Sequence, residues 1–200
     1  MNPPDERLNR ARRGEIAAFN SLVAEYEGLV YNLCYRMLGS RQAAEDAAQE
    51  AFLAAWRAIG SMRGETFRPW LMRIAANACR DELRRRGRRP GGSLDAALEE
   101  GLPEPPDRDP SPENALLAGE QRQGIERALR TLPEEQRLAL LLCDVEGFDY
   151  AEIAMVMKTS IGTVKSRIAR GRAHLREALL REPELLPSRF RPKGRDSELE

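Results

Sequence analysis

The sequence is poor in the residues that most metal sites and thiol enzymes require. It contains a single histidine, His174, and three cysteines that lie far apart, Cys34, Cys79 and Cys143. There is no CxxC motif and no Cys/His cluster, so we expect no metal site, no Cys/His nucleophile pair and no cofactor. Each cysteine has apolar neighbours in a helical pattern, which predicts buried free thiols in a reducing cytosol.

The sequence also lacks long apolar runs and alternating apolar patterns. Its longest apolar run, Leu138 to Cys143, is far too short to cross a bilayer, and the first 15 residues contain no apolar stretch typical of a signal peptide. We therefore expect a cytoplasmic protein without direct membrane insertion. No alternating run of apolar and polar residues and no Asn-Gly turn suggests a strand, so the sequence predicts an all-α fold.

Charge is distributed unevenly along the chain, although 32 basic and 32 acidic residues give a formal net charge of zero. Residues 93–120 contain eight acidic residues, one arginine and five prolines. Proline density and charge repulsion favour an extended chain, so this segment is predicted to be an acidic linker. It joins two small helical domains, residues 1–92 and 121–182, and residues 183–200 are predicted to be a disordered tail.

One stretch of the first domain, residues 67–89, combines an apolar helical face with a basic one. Pro69 suits only the first turn of a helix, so the helix is predicted to begin near Thr66 and to end at Gly87. The face opposite the apolar side carries arginines and one asparagine, and the arginine-rich end suits nucleic-acid phosphates. Phe67 and Trp70 have two interpretations, because such rings either pack in a core or stack on unpaired bases.

The preceding helix, predicted over Arg41 to Ile59, has an alanine-rich apolar side and an acidic side. The acidic side contains an exposed leucine, Leu53, among carboxylates and an amide. This pattern is typical of a solvated helix face. It also suits a docking surface on which carboxylates bind basic groups of a partner and the leucine adds an apolar contact.

The second domain contains a helix-turn-helix pattern in residues 149–172. Asp149 and Glu152 form a predicted capping box for a short helix, and Ser160 is placed to cap a second helix. The outward side of the second helix carries donors that suit guanine edges and phosphates of a major groove. They are Thr163, Lys165, Ser166, Arg167, Arg170 and Arg172.

Three motifs occur in an order that resembles a known family. They are DAAQEAF at residues 46–52, FRPWLMRIAAN at residues 67–77 and GTVKSR at residues 162–167. The chain resembles the bacterial sigma-70 family, in the small extracytoplasmic-function group that has only the second and fourth conserved regions. The resemblance covers about residues 15–89 and 121–180.

The resemblance implies a transcription initiation factor rather than an enzyme. Such a factor binds core RNA polymerase, reads a minus-35 duplex and melts a minus-10 element. The implied contacts with the β′ clamp helices are made by Asp46, Gln49, Glu50 and Leu53. The implied minus-10 contacts are Arg63, Phe67, Trp70, Arg73, Asn77, Arg80 and Arg84. The implied minus-35 contacts are Ser160, Thr163, Lys165, Ser166, Arg167 and Arg170.

The resemblance also implies partners beyond these surfaces. Members of the family bind the polymerase β subunit as well as β′, bind promoter DNA, use no small-molecule substrate and are usually held inactive by an anti-sigma protein. Because the whole chain is neutral, we also expect the acidic linker to shield the basic faces in the free protein.

Two positions depart from the family pattern. Lys158 stands in the turn before the second helix of the helix-turn-helix, where similar proteins usually have glycine, so this turn is expected to be strained or differently shaped. Pro69 stands where similar proteins usually have a small polar residue, which bears on where its helix begins.

Other classes of protein fit parts of the pattern. A stand-alone repressor would use the same helix-turn-helix to bind duplex DNA without polymerase. An inhibitor that imitates a sigma factor would share only the acidic face. A nuclease would need clustered carboxylates for a metal, and Asp46 with Glu50 is the only near pair.

Overall fold

The structure is a computed structural model, and the residues it describes are 6–63, 66–88 and 124–181. The predicted linker, residues 93–120, and the predicted tail, residues 183–200, lie outside the described residues. All regular structure in the described ranges is helical, which confirms the predicted all-α class.

Two groups of helices make up the fold. The first contains α1 (Glu6–Arg12), α2 (Ile16–Leu38), α3 (Arg41–Ala58), a 3₁₀ turn (Ile59–Ser61) and α4 (Phe67–Gly87). The second contains α5 (124–130), α6 (Glu134–Leu140) with a π-helical turn (Leu141–Val145), α7 (Tyr150–Met157) and α8 (Ile161–Leu180).

In the first group, α2, α3 and α4 pack on one another as a three-helix bundle, and α1 lies against α2 and the 3₁₀ turn. The side chains that α3 buries in this bundle are alanines, which allow close approach of the neighbouring helices. Gly39 ends α2 with a left-handed backbone (φ 71°), and the Ser40 hydroxyl accepts a hydrogen bond from the Ala43 amide at the start of α3. The predicted bounds of α4 are confirmed, with Pro69 in its first turn.

In the second group, α7 and α8 form the predicted helix-turn-helix. The capping box is confirmed, because Asp149 Oδ1 accepts from the Glu152 amide at 2.8 Å and Glu152 Oε2 accepts from the Asp149 amide at 3.0 Å. Ser160 Oγ accepts from the Thr163 amide at 3.2 Å and caps α8 as predicted. Gly171 lets α8 approach α6 closely, because a Cβ there would lie 3.2 Å from the Gln136 carbonyl oxygen.

The two groups pack against each other. α4 contacts α7, and α2 contacts both α6 and the π-helical turn. Buried apolar side chains from both groups form one continuous core. The basic helix α4 therefore contacts the helix-turn-helix directly in this conformation.

The cysteines differ in burial. Cys34 and Cys79 are fully buried, as predicted, whereas Cys143 is only partly buried and the prediction for it was wrong. A hydrogen bond with the Cys79 thiol and burial both raise the pKa of Cys34 well above its usual value, which keeps it a protonated, poorly nucleophilic thiol. Cys143 lies at the π-helical turn, where α6 ends near the surface.

None of the helices formed by the described residues combines the length and apolar character that a membrane span requires. In the same ranges, no group of three His, Cys, Asp or Glu side chains is arranged to hold a metal ion.

The turn between α7 and α8 is strained as the sequence predicts. Lys158 has φ 49° and ψ 52°, a left-handed conformation that costs a residue with a Cβ about 1–2 kcal/mol. We expect Lys158→Gly to raise the free energy of unfolding by about 0.5–1 kcal/mol, because relief of this strain exceeds the added chain entropy of glycine. Urea unfolding followed by circular dichroism measures the change.

The matched control is Lys158→Ala, which removes the same charge and retains the Cβ. It should give no stabilisation. Equal stabilisation by both variants would show that the lysine charge, and not the backbone, is responsible.

Candidate nucleic-acid and partner interfaces

The acidic side of α3 is exposed as one continuous face. Asp46, Gln49 and Glu50 are solvent-exposed, and Leu53 beside them retains 49 % of its accessible surface. The opposite side of α3 is buried against α2 and α4, so these four side chains are held at fixed positions on a rigid bundle. The sequence-predicted docking residues are therefore brought together on one surface.

A groove of about 270 Å³ extends this acidic face onto α4. Asp46 and Glu50 line one wall, and Asp81, Glu82 and Arg85 line the other. On the α4 wall, Glu82 pairs with Arg85 at 2.6 Å and with Arg86 at 2.8 Å, and Asp81 pairs with Arg84 at 3.1 Å. The described lining nevertheless contains four carboxylates and one guanidinium group. The sequence placed Asp81 on the outward side of this helix, but neither Asp81 nor Glu82 was predicted to belong to the docking surface. The available signal was that these two adjacent residues are the acidic interruption in the arginine-rich second half of α4.

The basic side of α4 is only partly accessible to solvent. Arg73, Asn77, Arg80 and Arg84 recur at helical spacing on one side of the helix. Asn77 and Arg84 are exposed, whereas the Arg80 side chain retains only 15 % of its surface. Arg80 pairs with Glu134 and Glu135 of α6, at 3.1 and 2.9 Å.

The two aromatic residues at the start of α4 lie in the core. Phe67 and Trp70 are 8 % and 6 % exposed, and the Phe67 ring centroid is 5.4 Å from that of Tyr26 and 5.7 Å from that of Trp70. Of the two interpretations open from the sequence, the structure shows the core one. A ring in this position stacks on a base only if it leaves its neighbours.

Arg63 lines a basic cavity that sequence analysis did not find. The cavity has a volume of about 410 Å³ and lies between α1 and the 3₁₀ turn, lined by Asn9, Arg12, Arg13, Gly60 and Arg63. Among the described residues, its lining contains three guanidinium groups and no carboxylate. The run Arg-Ala-Arg-Arg at residues 10–13 was the available signal, but only the fold brings it beside Arg63.

The donor side chains on the outward side of α8 contact the helix cap and α6. Ser160 and Thr163 are joined at the cap, since their hydroxyl oxygens are 3.0 Å apart, and Ser166 donates to the Thr163 carbonyl at 2.9 Å. Lys165 is exposed and lies 5.7 Å from the Tyr150 ring centroid, and Arg170 is exposed. Arg167 is partly covered, with Nη1 at 2.9 Å from Glu135 Oε2.

Arg172, on the same side of α8, has a structural role. Its Nε and Nη2 donate to the two carboxylate oxygens of Asp144 at 3.0 and 2.6 Å, which ties α8 to the turn after α6. The hydrogen bonds from Arg172 lower the pKa of Asp144. This ion pair therefore helps to fix the orientation of α8 relative to the π-helical turn.

Both groups of helices match known protein families. Residues 22–89 match the family model described as Sigma-70 region 2, and residues 122–175 match that described as Sigma-70, region 4. The chain is 41 % identical over 177 residues to the RNA polymerase sigma-H factor of Pseudomonas aeruginosa, with 86 % of this chain and 91 % of the relative covered. It is 40 % identical over 169 residues to the ECF RNA polymerase sigma-E factor of Escherichia coli K12, with 82 % and 88 % covered.

Two solved structures have the same fold. One is the sigma factor RpoE in complex with the anti-sigma factor NepR from Bartonella quintana, with a TM-score of 0.65, 26 % identity, and 82 % of this chain and 98 % of that chain covered. The other is CnrH in complex with the cytosolic domain of CnrY, with a TM-score of 0.63, 27 % identity, and 86 % and 94 % covered.

Proposed function

The chain belongs to the sigma-70 family of RNA polymerase sigma factors, in its extracytoplasmic-function group, and from this premise we propose a role for each charged surface. As a member of the family it is a transcription initiation factor that binds core RNA polymerase and directs it to promoters. The relatives named above are sigma factors rather than enzymes, and we propose that this chain likewise catalyses no reaction and acts in the cytoplasm.

We propose that the two predicted domains have separate functions, with the boundaries predicted from the sequence. Residues 1–92 dock on the polymerase and open the minus-10 element, residues 121–182 bind the minus-35 duplex, and residues 93–120 connect them. The matched segments 22–89 and 122–175 support this division because each lies inside one predicted domain. One of the solved relatives is a complex with an anti-sigma factor, which supports the proposal that an anti-sigma protein holds this chain inactive.

The observation that carries the docking proposal is the exposed acidic side of α3 together with the carboxylate-rich groove beside it. Asp46, Gln49 and Glu50 would bind basic and polar groups of the β′ clamp helices, and Leu53 would add an apolar contact at the centre. A basic side chain that enters the groove would meet carboxylates from both α3 and α4. The three-helix bundle fixes these groups before binding, so little ordering entropy is lost on association.

We propose that the basic side of α4 captures the non-template strand. Arg73, Arg80 and Arg84 would contact phosphates, and Asn77 has the donors and acceptors to read a base edge. Unstacking a base step costs a few kcal/mol, and these contacts would return a similar amount. Melting is then favourable only when the polymerase adds contacts of its own.

Phe67 and Trp70 contribute to this step by holding α4 in place. Stacking on an unpaired base is worth about 1–3 kcal/mol, whereas removing a large ring from a core costs about 3–5 kcal/mol. Both rings are buried, so leaving the core to stack would lose free energy overall. Their proposed contribution to minus-10 recognition is therefore indirect.

We propose that α8 enters the major groove of the minus-35 duplex. Thr163, Lys165, Arg167 and Arg170 present hydroxyl, ammonium and guanidinium donors to base edges and phosphates. Ser160 and Ser166 support the helix through its cap and backbone, which fixes the direction of these donors. The tie between Arg172 and Asp144 limits rotation of α8 about its axis.

The basic cavity at Arg63 extends the proposed strand-binding surface beyond α4. Three guanidinium groups line the cavity, with no carboxylate among the described lining residues; like charges this close repel one another, and an anion between them reduces this cost. The cavity lies beside the loop that leads into α4, so a strand held by the basic side of α4 would pass close to it. We propose that Arg12, Arg13 and Arg63 bind backbone phosphates of that strand.

The first experiment tests transcription and docking together. The protein is added to core RNA polymerase with a library of genomic promoter fragments, and run-off transcripts are sequenced. Transcripts from a specific subset are expected. Glu50→Lys should weaken binding to core polymerase at least about tenfold, because a cation would then face the basic clamp helices.

The control for charge and stability is Glu27→Lys, an exposed acid on α2 with the same charge change. It should leave polymerase binding close to that of the wild type. Tight and specific duplex binding without any transcript would contradict the proposal and favour the stand-alone repressor. Unchanged polymerase binding by Glu50→Lys would remove the docking role of α3.

A separate experiment tests whether the basic cavity binds phosphates. In the holoenzyme bound to promoter DNA with a pre-opened minus-10 segment, Arg12→Gln with Arg13→Gln should weaken binding and reduce the salt dependence. Each lost single-strand phosphate contact lowers the slope of log K against log salt by about 0.7. Arg41→Gln, an exposed arginine on α3, is the control; an equal effect of both changes would contradict a phosphate site at the cavity.

A further inference from the structure

One cation lies on the acidic side of α3, in the last turn of the helix. Arg57 follows Leu53 by four residues, Leu53 follows Glu50 by three, and Glu50 follows Asp46 by four. Residues three and four apart share one side of an α-helix, so these side chains form a single line. All four are exposed, and the docking residues predicted from the sequence do not include Arg57.

This line has opposite charges at its two ends. Asp46 and Glu50 supply carboxylates at one end, where the groove adds two more from α4, and Arg57 supplies a guanidinium at the other. At a rise of 1.5 Å per residue, Arg57 lies about 10 Å along the helix axis from Glu50 and about 16 Å from Asp46. Leu53 lies between the two ends and retains 49 % of its accessible surface. The surface is therefore acidic, then apolar, then basic along α3.

The Arg57 guanidinium has no ion pair or hydrogen bond with any of the described residues. Other exposed arginines of the same bundle are paired within it. Arg41 pairs with Glu45 at 3.1 Å, and Arg85 pairs with Glu82 at 2.6 Å. Within the described part of the chain, Arg57 is thus available to a carboxylate from another molecule.

The helix dipole favours a cation in the last turn of α3, because the C-terminal end of a helix carries a partial negative charge. This effect does not depend on which side of the helix the cation occupies. Arg57 lies on the side that carries Leu53 and the carboxylates. The dipole therefore explains a basic residue in this turn but not its place on the docking line.

DNA phosphates fit this position less well than a protein does. Arg57 is absent from the described lining of the basic cavity, so it lies apart from that proposed phosphate site. A strand that followed the line from Arg57 would approach Glu50 and Asp46, whose charges repel phosphates. A protein helix that presents a carboxylate, an apolar residue and cations in that order fits the whole line.

We propose that Arg57 pairs with a carboxylate of the docked β′ clamp helix and fixes the direction in which that helix crosses α3. The inference rests on the proposed docking function of α3 and extends its surface by one turn. In the productive direction, the clamp helix presents cations to Asp46 and Glu50 and a carboxylate to Arg57. In the reverse direction, like charges would meet at both ends of the line, which disfavours that arrangement.

The first measurement is the affinity of the full-length chain for core RNA polymerase. Arg57→Glu should weaken binding about tenfold, because a carboxylate would then face the carboxylate of the clamp helix. Arg57→Gln removes the charge without reversing it and should weaken binding about three- to fivefold, which provides the test if the charge reversal folds poorly.

The matched control is Arg41→Glu, which makes the same charge change at an exposed arginine of the same helix. Helical spacing places Arg41 on a different side of α3 from Arg57. This control should bind core polymerase with the affinity of the wild type.

A second measurement identifies the partner by exchange of charges. Acidic residues of the β′ clamp helices are changed to lysine one at a time, and each polymerase is combined with wild type and with Arg57→Glu. One substitution should restore binding of Arg57→Glu at least about fivefold and weaken binding of the wild type. A basic clamp residue changed to glutamate should restore Glu50→Lys, and it should lie about two helical turns from the first position.

Three results would overturn the proposal. They are equal polymerase affinity of Arg57→Glu and Arg41→Glu, the absence of any restoring substitution, and loss of promoter opening by Arg57→Glu with unchanged polymerase affinity. The last result would make Arg57 a DNA contact.

Glu50→Lys distinguishes failure of this inference from failure of the proposed function. If Glu50→Lys weakens polymerase binding and Arg57→Glu does not, docking by α3 stands and the role of Arg57 is wrong. If neither variant changes polymerase binding, the proposed docking function is itself wrong.

Discussion

The fold depends on one constraint, which is that α4 buries one side and presents a row of arginines on the other. The buried side carries Phe67, Trp70, Leu71 and Ala75 into the three-helix bundle, so core packing sets the side of the helix from which the arginine side chains extend. Free energy from the hydrophobic core thus fixes the position of charges that repel one another. Nearby anions reduce this repulsion. They are carboxylates of the same molecule or phosphates of bound DNA.

The second half of the molecule contacts α4 in two ways. The short helix α7 covers α4 with apolar contacts, and the start of α6 supplies carboxylates to Arg80. The first group of helices therefore depends on the second for the burial of part of α4 and for the charge partners of Arg80.

Local features of the fold were predictable from the sequence, and contacts between distant segments were not. The capping box at Asp149, the cap at Ser160 and the bounds of α4 depend on residues a few positions apart, so the sequence shows them directly. The exposed acidic side of α3 follows from helical spacing alone. The bridge from Arg80 to Glu135 spans 55 positions, and nothing in either segment marks the other. The choice between stacking and packing for Phe67 and Trp70 also needed the position of Tyr26, which comes from a different helix.

The zero net charge of the chain has a physical consequence in this arrangement. A DNA-binding protein with a large positive charge is attracted to any DNA, and this attraction holds it at nonspecific sites. In this chain, Arg80 of α4 and Arg167 of α8 each lie within 3.1 Å of a carboxylate of α6. Promoter binding by a chain without net charge must therefore come from contacts of individual side chains rather than from overall attraction to DNA.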